Sequence, residues 1–187
     1  MIPAKNKKKN LEMTIEEMRN FAFSYIDKYS PSKQQVKTYL LKKYLKTSNE
    51  SVKKNDITDL ITLVTDDLEK TKFINDKFYS DSKAKNLIQR GSSINKIKNY
   101  LISKGIKDKY IKETISKIVE KNEDQDFFSA IKICKKKRIG PAREEDNRTL
   151  FYKKDISILA RSGFDFETSK KIMEMEKDDY FHIIKFL

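Results

Sequence analysis

The chain has 187 residues, enough for one ordinary domain or a short array with a real core, and its 41 Lys and Arg against 28 Asp and Glu leave a net charge of +13. That excess suits polyanions such as DNA, RNA or an acidic protein groove, although the richness in Lys, Asn and Ile is also the bias of an A/T-rich genome, and both readings stay open. The lone cysteine, Cys134, excludes an internal disulfide, no apolar run approaches the roughly 20 residues of a membrane span, and the N-terminus lacks the apolar stretch of a signal peptide; a cytoplasmic protein with a reduced core thiol is expected.

Residues 1–13 carry Lys5, Lys7, Lys8 and Lys9 with little to bury and read as a mobile basic arm. Thr14 and Glu17 have the spacing of a capping box, and Ile15, Met18, Ala22, Tyr25, Ile26 and Tyr29 then follow a 3.6-residue period. Ser30-Pro31 is expected to restart the chain as cap and first helical residue, opening a helix that presents Val36, Tyr39, Leu40 and Tyr44. After a polar loop from Thr47 to Asn55, Ile57, Leu60, Ile61, Val64 and Leu68 mark the clearest helix. The next segment predicts a helix with Phe78, Leu87 and Ile88, a break at Gly91-Ser92-Ser93, a helix with Ile97 and Leu101, and another with Ile111, Ile115, Ile118 and Val119. Phe127, Phe128, Ile131 and Cys134 begin a further helix, followed by a basic loop from Lys135 to Arg148 containing Gly140-Pro141. Ile156, Leu159 and Ala160 resume the pattern, Asp165 caps a helix with Ile172 and Met173, and an apolar tail from Tyr180 to Leu187 closes the chain.

Within this order one pattern recurs. Ser32 to Leu45 is echoed by Ser93 to Ile106, 61 residues later, and Ile158 to Phe164 matches the end of the second copy from Tyr100 to Ile106. Gly105 and Gly163 occupy the same place in their copies, where a helix ends with φ > 0. Self-similarity at this spacing predicts stacked repeats: an all-α, elongated array of three tandem three-helix repeats over residues 14–73, 74–122 and 123–187, the last with a C-terminal cap.

No Walker loop, dinucleotide glycine pattern or nucleophile elbow occurs, so a non-enzymatic protein without cofactor or metal is expected. His182 stands without partners for a metal site and reads as packing or surface, and Asp66-Asp67 and Asp178-Asp179 read as solvated helix faces rather than Mg²⁺ ligands. Tyr39 and Tyr100, at matched places, read as core residues with exposed hydroxyls more readily than as stacking platforms. Lys37, Lys43, Lys98 and Lys104 also recur in register; they form either a basic stripe matched to a polymer or a solvated face.

Several of these residues, taken in order, resemble the RecX family of regulatory proteins. Ile74-Asn75-Asp76, Phe78-Tyr79, Arg90-Gly91 and Lys104-Gly105-Ile106 are similar to its central "LDD-x-x-FA", "R-x-x-G" and "L-x-x-KGI" elements. Ser32 to Tyr44 resembles its first "S-x-x-EL-x-x-KL" helix, and Lys135-Lys136-Lys137 with Leu159 to Phe164 its late "KK" and "L-x-RRGF" elements, so the resemblance runs from about Phe21 to Met173. Here Asn75 replaces an Asp, Tyr79 an Ala and Gln35 an acidic residue, and most of the family's arginines are lysines, which keep charge but lose the bidentate fork. The resemblance implies a monomer that binds RecA recombinase filaments on single-stranded DNA, and DNA directly as a further partner, and inhibits ATPase and strand exchange in recombination and DNA repair. The residues expected to meet partner or DNA are Lys37, Lys43, Arg90, Lys98, Lys104, Lys135, Lys136, Lys137 and Arg161. The rival is a free-standing basic DNA- or RNA-binding protein, whose binding would follow phosphate charge alone.

Overall fold

A computed structural model describes residues 11, 13–46 and 54–187; the basic arm lies almost wholly, and the Thr47 loop mostly, outside the described residues. Among the described residues every regular element is helical, as expected. The helices are α1 (Ile15–Tyr29), α2 (Lys33–Leu45), α3 (Lys54–Lys70), α4 (Asp76–Gln89), α5 (Ile94–Ser103), α6 (Asp108–Lys121), α7 (Gln125–Lys137), α8 (Glu145–Arg161), α9 (Phe166–Met173) and α10 (Lys177–Ile184), with one 3₁₀ turn at Gly140–Ala142. The described residues form two compact units, those up to residue 79 with 104–106, and residues 80–103 with 107–187.

In the first unit, α1 begins where Thr14 Oγ1 accepts the Glu17 N–H at 3.2 Å. The restart after α1 differs from the expectation: Ser30 adopts a left-handed φ of 42° and closes α1, and Ser32 caps α2. Ser32 is the better cap because Gln35 reciprocates, its Oε1 accepting the Ser32 N–H at 3.1 Å while Ser32 Oγ accepts the Gln35 N–H at 3.3 Å. Ile57, Ile61, Val64 and Leu68 of α3 are buried against Met18, Ala22, Val36 and Leu40. Ile15 and Tyr29, though in phase with the apolar face of α1, are exposed near its two ends. Asp66 and Asp67 are partly exposed, as a solvated face requires, and they also pair with Lys33 and Arg19, each at 2.7 Å, tying α3 to α2 and α1. Lys33 has a side chain only 15% exposed. Burial pulls its pKa down, but the bonds to Asp66 and Glu69 outweigh this and leave it above the ordinary lysine value.

The second unit buries Ala130, Ile131, Cys134, Leu159, Ile172 and Tyr180 together. Burial, with the charge of Asp155 adding, pushes the Cys134 thiol up to about 12, so it packs as a core thiol. In α4, whose first four residues belong to the first unit, Phe78 is 68% exposed, contrary to expectation, and Tyr79 and Ala84 are the buried apolar residues. Val119 of α6 is also exposed. The expected basic loop is corrected as well: α7 runs through Lys137, the non-helical stretch is the short one around Gly140–Ala142, and Arg148 lies inside α8. Fully buried Asp155 of α8 holds that turn, accepting the Gly140 N–H at 2.9 Å and two bonds from Arg143 at 2.6 and 2.8 Å. Arg148 donates to the carbonyls of Met173 and Met175 at 3.0 and 2.7 Å, serving groups that α9 leaves open at its end. Asp165 caps α9 through the Thr168 N–H, and the apolar tail is helical α10, anchored by Tyr180.

The repeated pattern corresponds to a joint made twice. Ser32 Oγ donates to the Lys104 carbonyl at 2.7 Å, and the Lys33 N–H donates to Asp76 Oδ1 at 2.8 Å. Ser93 Oγ donates to the Ser162 carbonyl at 3.0 Å, and the Ile94 N–H donates to Asp126 Oδ1 at 2.7 Å. Each joint thus sets a helix N-terminus against the glycine-terminated end of a later helix and the first turn of another. Gly105 and Gly163 are needed there twice over, by φ of 71° and 91°, and because an added Cβ would lie 2.5 Å from Gln34 Cβ and 2.4 Å from Ser93 Oγ. In the first copy, the place matched to Gly105 is Tyr44, which is helical and buried and donates its hydroxyl to Glu17 at 2.9 Å.

Candidate partner-binding recess

Helix α7 carries two faces at once. Ile131 and Cys134 point into the core, and the positions one, four and five residues beyond Ile131, which are Lys132, Lys135 and Lys136, fall together on another side at the i, i+3, i+4 spacing of a helix. Lysines in the last turn also complement the helix dipole, so this end of α7 tolerates their charge.

The end of α4 is brought against this face at Gly91, where an added Cβ would stand 3.1 Å from both Lys132 Cβ and the Ser129 carbonyl oxygen. That close approach sets exposed Arg90 beside the three lysines. Together they line a recess of about 480 Å³ whose remaining walls are Gln89, Ile184 and Leu187. No carboxylate side chain lines it, and none of the four cations is in an ion pair among the described residues.

The other expected contact residues are placed differently. Lys37 is half-buried with Nζ 3.3 Å from Thr62 Oγ1, and Lys43 lies over the Phe21 ring at 3.7 Å from its centroid. Lys104 is half-buried and contributes its carbonyl to the first joint. Lys98 on α5, Lys137 and Arg161 are exposed, but none lines the recess. Of the nine, therefore, the recess unites Arg90, Lys135 and Lys136.

Lys132 escaped sequence reading because it sits between Ile131 and Ile133 in an apolar stretch; its helical spacing from Lys135 and Lys136 was the signal that could have found it. Tyr39 stacks on Tyr25 with centroids 4.3 Å apart, which occupies a face that a base would need. His182 is exposed and meets Phe186 edge-on at 5.3 Å. No helix among the described residues is long and apolar enough to cross a membrane.

In sequence the chain is similar to a protein of Myxococcus xanthus (strain DK1622), Regulatory protein RecX, with 27% identity over 168 residues that cover 84% of each chain. No family model matches, and no solved structure matches.

Proposed function

We propose that the chain, similar over 84% of its length to a protein named Regulatory protein RecX, acts as a regulatory protein of that kind: it binds RecA recombinase filaments assembled on single-stranded DNA and slows their ATP turnover and strand exchange, modulating recombination and DNA repair. The observation that carries this reading is the recess in which Arg90, Lys135 and Lys136 converge with Lys132 and with no carboxylate side chain among the lining residues. Cations left unpaired in a concave site gain most from an anionic partner, because the partner supplies the counter-charge that the fold withholds. The filament, with its DNA, is such a partner. Residues 14–73, 74–122 and 123–187 act in this reading as three repeats, bridging neighbouring protomers and opposing the change in spacing that ATP turnover requires. Lys37, Lys43, Lys98, Lys104, Lys137 and Arg161 supply secondary contacts, and the protein works as a cytoplasmic monomer.

The test is co-sedimentation with the cognate recombinase on single-stranded DNA, beside the same DNA bare, together with ATPase measurements. We expect preference for the filament and suppression of hydrolysis at less than one molecule per protomer. Reversing Arg90, Lys135 and Lys136 to Glu should weaken filament binding about tenfold or more while the melting temperature stays nearly unchanged, since exposed charges contribute little to folding. Equal binding to bare DNA, with a steep salt slope and no loss in the triple variant, would instead support the free-standing nucleic-acid-binding protein.

A further inference from the structure

The basic recess does not stand alone. Gln89 also lines a second recess of about 610 Å³ between α4 and α6, so the two share this residue. The second has Ala84, Ile88 and Ile118 among its apolar walls and Lys85, Lys117 and Lys121 among its cations. Its single lining carboxylate, Asp81, is already occupied, accepting from Lys117 at 2.6 Å and from Thr114 at 2.7 Å. Both recesses therefore combine aliphatic surface with lysine or arginine charge, and Gln89 is common to both.

We infer that the two recesses form one docking groove for an extended acidic peptide segment that carries aliphatic side chains. Charge complementarity sets the sign: the cations of the basic recess have no carboxylate partner among the described residues, and an acidic peptide would supply them. The aliphatic walls decide between polyanions. Proteins that hold single-stranded nucleic acid combine positive charge with aromatic platforms for the bases, and neither recess has a Phe, Tyr or Trp among its lining residues. Ile88 with Ile118, and Ile184 with Leu187, offer instead two separate seats for aliphatic side chains, and Gln89 carries both a donor and an acceptor for peptide backbone between them. The inference deepens the regulatory reading by naming the chemistry of the partner surface. For its biological role it rests on that reading, but the binding itself is measurable without any recombinase.

Fluorescence anisotropy on the full chain tests it, using a short labelled peptide of Asp and Glu containing two leucines. Controls are the same peptide with serine in place of leucine, and oligo-dT matched in charge. The leucine peptide should bind about tenfold more tightly than the serine peptide, and K132E/K135E should lose about tenfold or more, with helical dichroism and melting temperature retained. I118S should reduce the advantage of leucine over serine while leaving the charge dependence intact. Equal binding of the two peptides, or displacement of the leucine peptide by oligo-dT at equal charge, would overturn the inference. Normal peptide binding with filament binding unaffected by K132E/K135E would leave the groove standing and remove the recombinase reading.

Discussion

The two joints share a hydrogen-bond plan and differ in what surrounds it. At the first, the residue after the capping serine is Lys33, whose ammonium is held by Asp66 and Glu69, and the acceptor Asp76 is buried. At the second, the same place is Ile94, whose apolar side chain can form no ion pair like that of Lys33, and the acceptor Asp126 faces the charge of Asp165. The glycines differ too. Gly105 has Gln34 Cβ and Cγ as its nearest neighbours, whereas Gly163 abuts Ser93 Oγ and, at 3.3 Å, both the backbone nitrogen and Cβ of Lys96. A repeat therefore preserves the backbone groups that must be satisfied at a helix junction, and leaves the side chains around them free to set each junction's strength.

The largest test of this contrast is the glycine pair. Gly163→Ala should cost roughly 2–5 kcal/mol, from a left-handed β-carbon at about 1–2 and overpacking at about 1–3, with loss of the Ser93 bond that Cβ would collide with. Gly105→Ala is strained as well, since Gln34 Cβ would stand 2.5 Å away, but it should cost less because the added carbon does not displace the capping serine, and the Ser32 bond to the Lys104 carbonyl survives. Chemical denaturation of both variants checks the order, and a larger loss at Gly105 would break the comparison.

A smaller effect is expected at the serines. Ser32→Ala and Ser93→Ala each remove a cap and a bond to a carbonyl, about 0.5–2 kcal/mol. At the first joint the Lys33 cluster still fastens α2 to α3, so Ser93→Ala should raise amide exchange around its joint more than Ser32→Ala does around its own. Equal exchange in the two variants would mean that the ion cluster adds nothing.

Smallest in energy, but opposite in sign, are the pH dependences. Burial holds the Asp126 carboxyl above the ordinary carboxylate range; the Ile94 N–H opposes this and the charge of Asp165 adds to it. The folded state thus holds that proton more tightly than the unfolded chain, and the stability it contributes is lost as pH rises through the raised value. The bond from Lys33 holds Asp66 below the ordinary range, so its contribution is present above that range and lost as pH falls through the depressed value. Carbon-detected NMR titration should place the Asp126 midpoint above that of Asp66, and Asp126→Asn should remove the first dependence alone. The reverse order of midpoints would contradict this account of the two joints.

Much of this architecture was legible in the chain because its causes are local. Caps at Thr14 and Asp165, the apolar period of α3 and the left-handed glycines each depend on a few neighbouring residues along the sequence. Repetition marked Ser32, Ser93, Gly105 and Gly163 as special without revealing that serine and glycine meet across each joint. The exposed Phe78 and the placement of Arg143 show the limit: Phe78 is the right residue type on the wrong side of α4, and Arg143 passes for loop charge until Asp155 arrives from α8. Which cations are free is likewise a property of the fold. Lys33 meets Asp66 and Arg19 meets Asp67 from far along the chain, while Arg90 and Lys132 are brought together by the contact at Gly91. Charge is written in the sequence, but its pairing is decided by contacts between distant segments, and only an unpaired charge in a concave wall offers a partner something to bind.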